Sequence, residues 1–192
     1  MICGFDEAGR GPLAGPVCAA AVILPNDFPV GVLRDSKKLS LKEREYAEKL
    51  IREKALWAIG WADHKEIDEI NILQASLLAM KRAFESLILP ENVESLTAIV
   101  DGLHIPNISI PCKALVKADD TIPEVMAASI IAKTARDREM ERYAGLYPEY
   151  GYEKHKGYPT KEHRERIALY GPSPIQRKTF KMHKLQPTFF NS

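Results

Sequence analysis

The sequence predicts a mixed α/β fold in which helices cover the faces of one five-stranded sheet. Two observations lead to this class. Three apolar segments suited to strands lie in the first third of the chain, and helical and strand patterns alternate after them. A length of 192 residues, with 45% hydrophobic and 28% charged residues, fits one globular domain over residues 1–192.

Strand predictions rest on short apolar runs bounded by Pro, Gly or polar residues. The five runs are residues 2–5, 17–24, 55–62, 96–100 and 112–116. Helix predictions rest on capping residues and apolar periodicity. Capping boxes at Ser40/Glu43 and Thr121/Glu124 begin the first and third helices, and Thr160 caps the fourth. The four predicted helices are residues 41–54, 67–87, about 123–146 and 161–170.

Composition excludes several classes of protein. The longest apolar run, residues 17–24, is too short to span a bilayer, and no signal-peptide pattern is present. Cys3, Cys18 and Cys112 are widely spaced and belong to no Cys/His cluster, which argues against zinc and favours reduced thiols. We therefore expect a cytoplasmic monomer without a membrane partner.

Charge is unevenly distributed, although the net charge is only +1. Residues 151–192 contain nine Lys or Arg and three acidic residues, whereas the first 150 residues are net acidic. A basic end segment favours a polyanionic ligand, although a solvated helix surface has the same charge pattern. We expect residues from about 147 to 192 to form a basic, mainly helical segment that helps to bind substrate.

Acidic residues follow three of the predicted strands. Asp6 and Glu7 come directly after the first, Asp101 after the fourth, and Asp119 shortly after the fifth. One such acid is usually a turn or cap residue, but three strand ends in one sheet bring carboxylates together. Clustered carboxylates repel unless one is protonated or a cation lies between them, and Mg²⁺ or Mn²⁺ ions prefer oxygen ligands. We therefore expect two divalent ions that bridge the acids to a phosphodiester.

The adjacent acids impose a condition on the backbone. Consecutive side chains of a regular strand point to opposite faces, so joint metal binding by Asp6 and Glu7 predicts that the chain leaves strand geometry there. Gly9 and Gly11 permit this departure. Their spacing matches neither the dinucleotide-binding nor the P-loop pattern, so we expect them to let backbone amides approach a sugar or phosphate.

Seven motifs carry a family resemblance: DEAGRGPLAGP (6–16), DSKKLS (35–40), IDEINILQAS (67–76), VDG (100–102), KADDTIPEVMAASIIAKTARDREM (117–140), YGYEKHKGYPTKEH (150–163) and GPSPIQRKTF (171–180). In this order they resemble the type 2 ribonuclease H family, ribonuclease HII, over nearly the whole chain. The resemblance implies a ribonuclease H-like fold and a metal-dependent endonuclease that cuts the RNA strand of RNA–DNA hybrids. It also implies nicking 5′ of a single ribonucleotide in duplex DNA, which leaves 3′-hydroxyl and 5′-phosphate ends.

The resemblance also assigns roles to residues. Catalytic and metal-binding roles fall on four acids: Asp6, Glu7, Asp101 and Asp119. Gly9, Arg10 and Gly11 match the segment whose backbone reads the ribose 2′-hydroxyl, and Tyr158 matches a tyrosine placed against the sugar 3′ of the junction. We expect further substrate contacts from Ser36, Lys37, Lys38, Asn71, Gln74, Lys154 and Lys156. The four lysines among them would contact phosphates.

Some positions depart from the family pattern or fall outside the expected site. The motif KADD has two adjacent acids, Asp119 and Asp120, where family members usually have one. Counting ten residues back from Ser129 selects Asp119 as the metal ligand. Gln176 stands where a histidine is common. We expect Asp137 to be a cap or ion-pair partner. The histidines expected to meet solvent or phosphate are His155, His163 and His183.

The C-terminal sequence LQPTFF (185–190) resembles short peptides that dock on bacterial sliding clamps; alternatively, the two phenylalanines fold onto their own domain. Three other interpretations are less favoured. Ribonuclease HIII adds an N-terminal domain, for which five residues before Asp6 leave no room. A binding module without catalysis would not need four intact acids, and a metal-dependent phosphatase would not explain the basic end segment.

Overall fold

The computed structural model describes residues 1–33, 39–90 and 95–180. Its centre is a five-stranded sheet in the order β3-β2-β1-β4-β5. The strands are β1 (Ile2–Ala8), β2 (Val17–Ile23), β3 (Leu56–Ala62), β4 (Thr97–Asp101) and β5 (Cys112–Leu115). Strand β2 is antiparallel to its neighbours β1 and β3. Strand β4 pairs parallel to β1, and β5 pairs parallel to β4. The predicted mixed sheet is therefore confirmed.

Five α-helices flank the sheet or extend beyond it: α1 (Leu41–Lys54), α2 (His64–Glu85), α3 (Pro123–Leu146), α4 (Tyr152–His155) and α5 (Lys161–Tyr170). Short 3₁₀ turns occupy Val30–Val32, Ala118–Asp120 and Pro148–Tyr150. Helix α2 packs against one face of the sheet, with Phe5, Ile67 and Met80 in its core. Helices α1 and α3 pack against the other face, with Ile51 and Ile130 in its core. Strand β2 is buried throughout because both faces are covered.

Of the three predicted helix caps, those at Ser40 and Thr160 are confirmed and the one at Thr121 is wrong. Ser40 and Glu43 exchange both hydrogen bonds of a capping box, and the Thr160 side chain accepts from the His163 N–H. The expected box at Thr121 does not form. The N-cap of α3 is Ile122, without a side-chain cap, because the Thr121 hydroxyl donates instead to the Lys117 carbonyl at 3.3 Å.

Helix α2 also differs from its prediction. It begins three residues earlier than expected, at His64, because Asp63 and Glu66 form a capping box. It is then interrupted at Asn71, whose φ of 67° lies in the left-handed region. The Asn71 Oδ1 accepts from the N–H groups of Leu73 and Gln74, so a second N-cap restarts the helix.

No helix within residues 1–33, 39–90 and 95–180 is long and apolar enough to cross a bilayer. Cys3, Cys18 and Cys112 are all unbridged thiols, as expected. Burial raises the pKa of each of them, which favours the uncharged thiol.

Strand β3 and helix α2 approach so closely that only glycine fits at position 60. A Cβ on Gly60 would lie 2.1 Å from the Ala79 carbonyl oxygen and 2.5 Å from the Ala83 amide nitrogen. We expect Gly60→Ala to lower the free energy of unfolding by roughly 1–3 kcal/mol, because backbone atoms must move apart. Denaturant unfolding measures this. Gly145→Ala in α3 is the matched control, because nothing lies within 4 Å of its Cβ and its stability should not fall.

Candidate active site

A cavity of about 520 Å³ opens at the end of β1. It is lined by three acidic residues, two basic residues, two glycines, one tyrosine and two other small residues. They are Asp6, Glu7, Ala8, Gly9, Arg10, Gly11, Asp101, Ser129, Lys133 and Tyr158. Seven of the residues that the sequence singled out are therefore brought together around one space: three of the four acids, the Gly9–Gly11 segment and Tyr158.

The register of β1 and β4 brings the acids together. Pairing ends at Phe5 opposite Val100, so Asp6 and Asp101 follow one residue further along neighbouring parallel strands. The expectation that the chain leaves strand geometry at Asp6 and Glu7 is wrong, since β1 continues to Ala8 and pairs with β2 throughout. Both acids still line the cavity because β4 has ended, which leaves that edge of β1 open.

Burial and neighbouring like charges both act on the Asp6 carboxyl. Burial first, and then the neighbouring Glu7 and Asp101 carboxylates, raise the pKa of Asp6 well above its usual range. Hydrogen bonds from the Ser129 side chain and the Glu7 N–H act in the opposite direction. The Asp101 Oδ1 accepts from the Ala118 N–H at 2.8 Å, which ties β4 to the turn that follows β5.

The fourth acid lies on that turn. Asp119 is buried in the 3₁₀ turn Ala118–Asp120, whereas Asp120 is exposed. The Asp119 side chain is not among the residues that line the cavity. Within the described residues, no three His, Cys, Asp or Glu side chains converge closely enough to hold a metal ion by themselves.

Two cationic side chains lie beside the acids. The Arg10 guanidinium contacts the Glu7 carboxylate at 3.2 Å. The Lys133 ammonium lines the cavity and contacts both oxygens of Asp137, at 2.6 and 2.7 Å. Asp137 is thus an ion-pair partner, as expected. Ser129 and Lys133 were not predicted as cavity residues, but their spacing of four residues on α3 could have placed them on one helix face.

Other predicted contacts lie elsewhere. Gln74 lines a separate surface groove with Leu77 and Ile105, and the Asn71 side chain caps α2. Lys154 pairs with Glu162 at 3.1 Å, and Lys156 pairs with Glu141 at 2.7 Å. The predicted contacts Ser36, Lys37 and Lys38 lie outside the described residues, and so does His183.

Two of the histidines expected to be solvent-facing are buried, which corrects that expectation. The imidazoles of His155 and His163 stack with centroids 4.4 Å apart, against the Tyr152 ring. His155 Nδ1 accepts from the Gly157 N–H at 3.2 Å, and His163 Nδ1 donates to the Tyr158 carbonyl at 3.0 Å. The stacked pair therefore supports the loop that presents Tyr158 to the cavity.

Comparison with known proteins decides the family. The family model described as ribonuclease HII matches residues 3–186. The chain belongs to the ribonuclease HII family. A ribonuclease HII from Treponema denticola is 60% identical over 94% of this chain and 98% of its own length.

Solved structures agree with this assignment. The ribonuclease H2 from Pyrococcus horikoshii has a TM-score of 0.73 and 30% identity, covering 94% of this chain and 93% of its own. The ribonuclease HII from Archaeoglobus fulgidus, solved in complex with PCNA, has a TM-score of 0.72 and 29% identity over 97% of this chain and 98% of its own. The predicted ribonuclease H-like fold is confirmed. Family membership identifies the chain as an endoribonuclease, a hydrolase for the RNA strand of RNA–DNA hybrids.

The buried histidine pair predicts acid-sensitive stability. Burial first, and then the neighbouring His155, lower the pKa of His163 to about 4. Between pH 6.5 and 4 the unfolded chain therefore binds a proton that the folded chain does not, so stability is complete above pH 6.5 and falls below it. We expect about 2 kcal/mol less stability at pH 5 than at pH 7 from His163 alone.

Denaturant unfolding at both pH values checks this, with His163→Gln as the comparison. The variant should be less stable at pH 7 but lose less stability on acidification. An equal loss in both proteins would show that His163 does not cause the acid sensitivity.

Proposed function

We propose that this endoribonuclease uses two divalent cations and nicks on the 5′ side of ribonucleotides, both in RNA–DNA hybrids and singly embedded in duplex DNA. The proposal is carried by one observation. Asp6, Glu7 and Asp101 line the same cavity as the Gly9–Gly11 backbone and Tyr158. A cation site and a sugar-reading surface are thus adjacent. The products would be 3′-hydroxyl and 5′-phosphate ends.

The chemistry of the donor set fits Mg²⁺ or Mn²⁺. Every candidate ligand is a carboxylate oxygen. Burial and then the neighbouring carboxylates raise the pKa of Asp6, and a bound cation would compensate the negative charge of these groups. Mg²⁺ usually keeps several waters and takes one or two carboxylates plus substrate phosphate oxygens, so three converging side chains are not required. Asp6, Glu7 and Asp101 would hold the ions, with Asp119 completing the set. The ions would activate water and stabilise the leaving oxygen.

The protein's own residues would select and orient the substrate. Backbone N–H groups of Gly9–Gly11 can donate to a ribose 2′-hydroxyl, the group that distinguishes RNA from DNA. Tyr158 lies close to this segment, since a Cβ on Gly11 would lie 3.6 Å from the tyrosine ring. Its ring would pack against the sugar on the 3′ side. Such contacts involve no base edge, so cleavage should depend little on base identity.

The basic segment from residue 147 onward would bind the phosphate backbone. Lys154 pairs with Glu162 and Lys156 pairs with Glu141. The Lys154 side chain is exposed, so its pair is weak enough to be exchanged for phosphate. We also infer that residues 185–190, outside the described residues, dock on a sliding clamp. Support comes from the Archaeoglobus fulgidus relative in complex with PCNA.

Cleavage of end-labelled duplex DNA with one internal ribonucleotide tests the catalytic proposal. We expect a 5′ nick with Mg²⁺ or Mn²⁺ and none with EDTA. Asp101→Asn and Asp119→Asn should each lower the rate by about 10²-fold or more, because each removes a charged ligand worth several kcal/mol. Asp120→Asn is the matched control and should keep most of the activity, since Asp120 is exposed. Binding without cleavage by the unaltered chain would favour a catalytically silent module instead.

Deleting residues 185–192 tests clamp docking. Surface-immobilised clamp should retain the full chain and lose the truncated one, because the glutamine and both phenylalanines of the motif are removed. The truncated chain must show an unchanged thermal midpoint. A full chain that does not bind the clamp would end this proposal while leaving the catalytic one intact.

A further inference from the structure

Two arginines lie buried behind the glycine-rich loop formed by residues 9–16, the substrate-reading loop. Arg136 on α3 and Arg177 after α5 are each 1% exposed. Within the described residues, neither guanidinium forms a salt bridge with a carboxylate. A buried charge without a counter-charge is costly unless hydrogen bonds satisfy it. The bonds that satisfy these two charges all go to backbone carbonyls.

Among the described residues, the hydrogen bonds of the Arg177 side chain all go to the substrate-reading loop. Its Nε donates to the Gly15 carbonyl at 2.9 Å, and its Nη1 donates to the Arg10 carbonyl at 3.1 Å. Its Nη2 donates to the carbonyls of Gly9 at 2.6 Å and Pro16 at 3.2 Å. One side chain therefore joins both ends of the loop and holds four of its carbonyls.

Arg136 connects the same loop to the segment that carries Tyr158. Its Nε donates to the Pro16 carbonyl at 2.9 Å, and its Nη1 donates to the Lys156 carbonyl at 3.1 Å. A Cβ on Gly9 would lie 2.1 Å from the Arg136 Nε, so glycine is required there. The two arginines thus form one rigid support under the loop.

The hydrogen bonds to these carbonyls also determine where the neighbouring N–H groups point, because the peptide unit is planar. In a planar trans peptide, the C=O and N–H bonds point in opposite directions. The Gly9 carbonyl shares its peptide with the Arg10 N–H, and the Arg10 carbonyl shares its peptide with the Gly11 N–H. Because Arg177 holds both carbonyls, both N–H groups point away from the guanidinium.

These N–H groups have no acceptor within the described residues, and Arg10 and Gly11 line the cavity. By contrast, the Leu13 N–H donates to the Gly157 carbonyl at 2.8 Å and the Gly15 N–H donates to the Ile175 carbonyl at 2.9 Å. The loop's amides are therefore divided: those of Leu13 and Gly15 anchor it, while those of Arg10 and Gly11 remain available to a ligand.

We propose that Arg177 is a positioning residue for substrate recognition, which aims the Arg10 and Gly11 amides at the ribose 2′-hydroxyl. This inference rests on the proposed function. Burial and the nearby charge of Arg136 lower the pKa of Arg177 to about 9, so it still carries its charge at neutral pH. A charged donor on each carbonyl also polarises the attached amide and strengthens its N–H as a donor.

Arg177→Lys separates this role from a purely structural one. Lysine keeps the charge, but its single ammonium cannot hold four carbonyls in a planar arrangement. Dissociation constants would be measured in the cleavage-deficient Asp101→Asn background, for a duplex with one ribonucleotide and for the same duplex in all-deoxy form. We expect the preference for the ribonucleotide to fall at least about tenfold on introducing Arg177→Lys, because each misaligned hydrogen bond costs several-fold in affinity.

Arg142→Lys is the matched control, because Arg142 is exposed and bonds only to Glu139 among the described carboxylates. Its ribonucleotide preference should equal that of the Asp101→Asn parent. An Arg177→Lys variant that weakens both duplexes equally would overturn the positioning role. A parent that does not discriminate between the duplexes would instead overturn 2′-hydroxyl reading itself, and with it the proposed function.

A second measurement covers the case in which Arg177→Lys fails to fold. In the ¹⁵N-labelled Asp101→Asn chain, the amide proton resonances of Arg10 and Gly11 should move downfield with the ribonucleotide duplex and not with the all-deoxy duplex. Equal shifts with both duplexes would overturn the inference.

Discussion

The parallel register between β1 and β4 is the constraint on which the site depends. Pairing Phe5 with Val100 places Asp6 beside Asp101, and the end of β4 at that level leaves the edge of β1 open for Glu7. Main-chain hydrogen bonds of the central strands therefore fix the spacing of the carboxylates. A shift of two residues in this register would keep each strand's buried faces but separate the acids by roughly 7 Å, because each strand residue advances about 3.3 Å.

The site places opposite charges on the two sides of one loop. Toward the cavity lie the carboxylates of Asp6, Glu7 and Asp101. Burial, followed by the other two carboxylates, raises the pKa of Asp6, and these acids are the ones proposed to hold cations. Behind the loop lie the guanidinium groups of Arg136 and Arg177, which bond to its carbonyls. The loop between them presents amide donors to an anionic or hydroxyl-bearing ligand. Under the proposed function, a nucleic acid that brings phosphate oxygens and a 2′-hydroxyl would contact bound cations and the loop's amides without meeting a carboxylate directly.

Sequence patterns correctly predicted the features of the fold that depend on interactions between residues close together in the chain. The capping box at Ser40, the five strands and the acids at strand ends are all encoded within a few residues. What the sequence missed depends on contacts that such patterns do not specify, some of them between residues far apart in the chain. Strand β1 runs past its acids because β2 pairs with it up to Ala8, and the box expected at Thr121 fails because its hydroxyl bonds backwards instead. The Arg177 contacts join residues more than 160 positions apart, and no periodicity or spacing signals them.

Arginine suits the support of this loop because the loop's carbonyls need hydrogen-bond donors while its Arg10 and Gly11 N–H groups must stay unpaired. Residues 9–16 include three glycines and two prolines, so the segment cannot satisfy its own carbonyls as a strand or helix would. Each buried carbonyl left without a donor would cost about 1–3 kcal/mol. A neighbouring strand could satisfy them, but its carbonyls would also bind the loop's N–H groups. Arginine has five donors and no acceptor, so it satisfies the carbonyls without competing for the Arg10 and Gly11 amides that we propose bind the substrate.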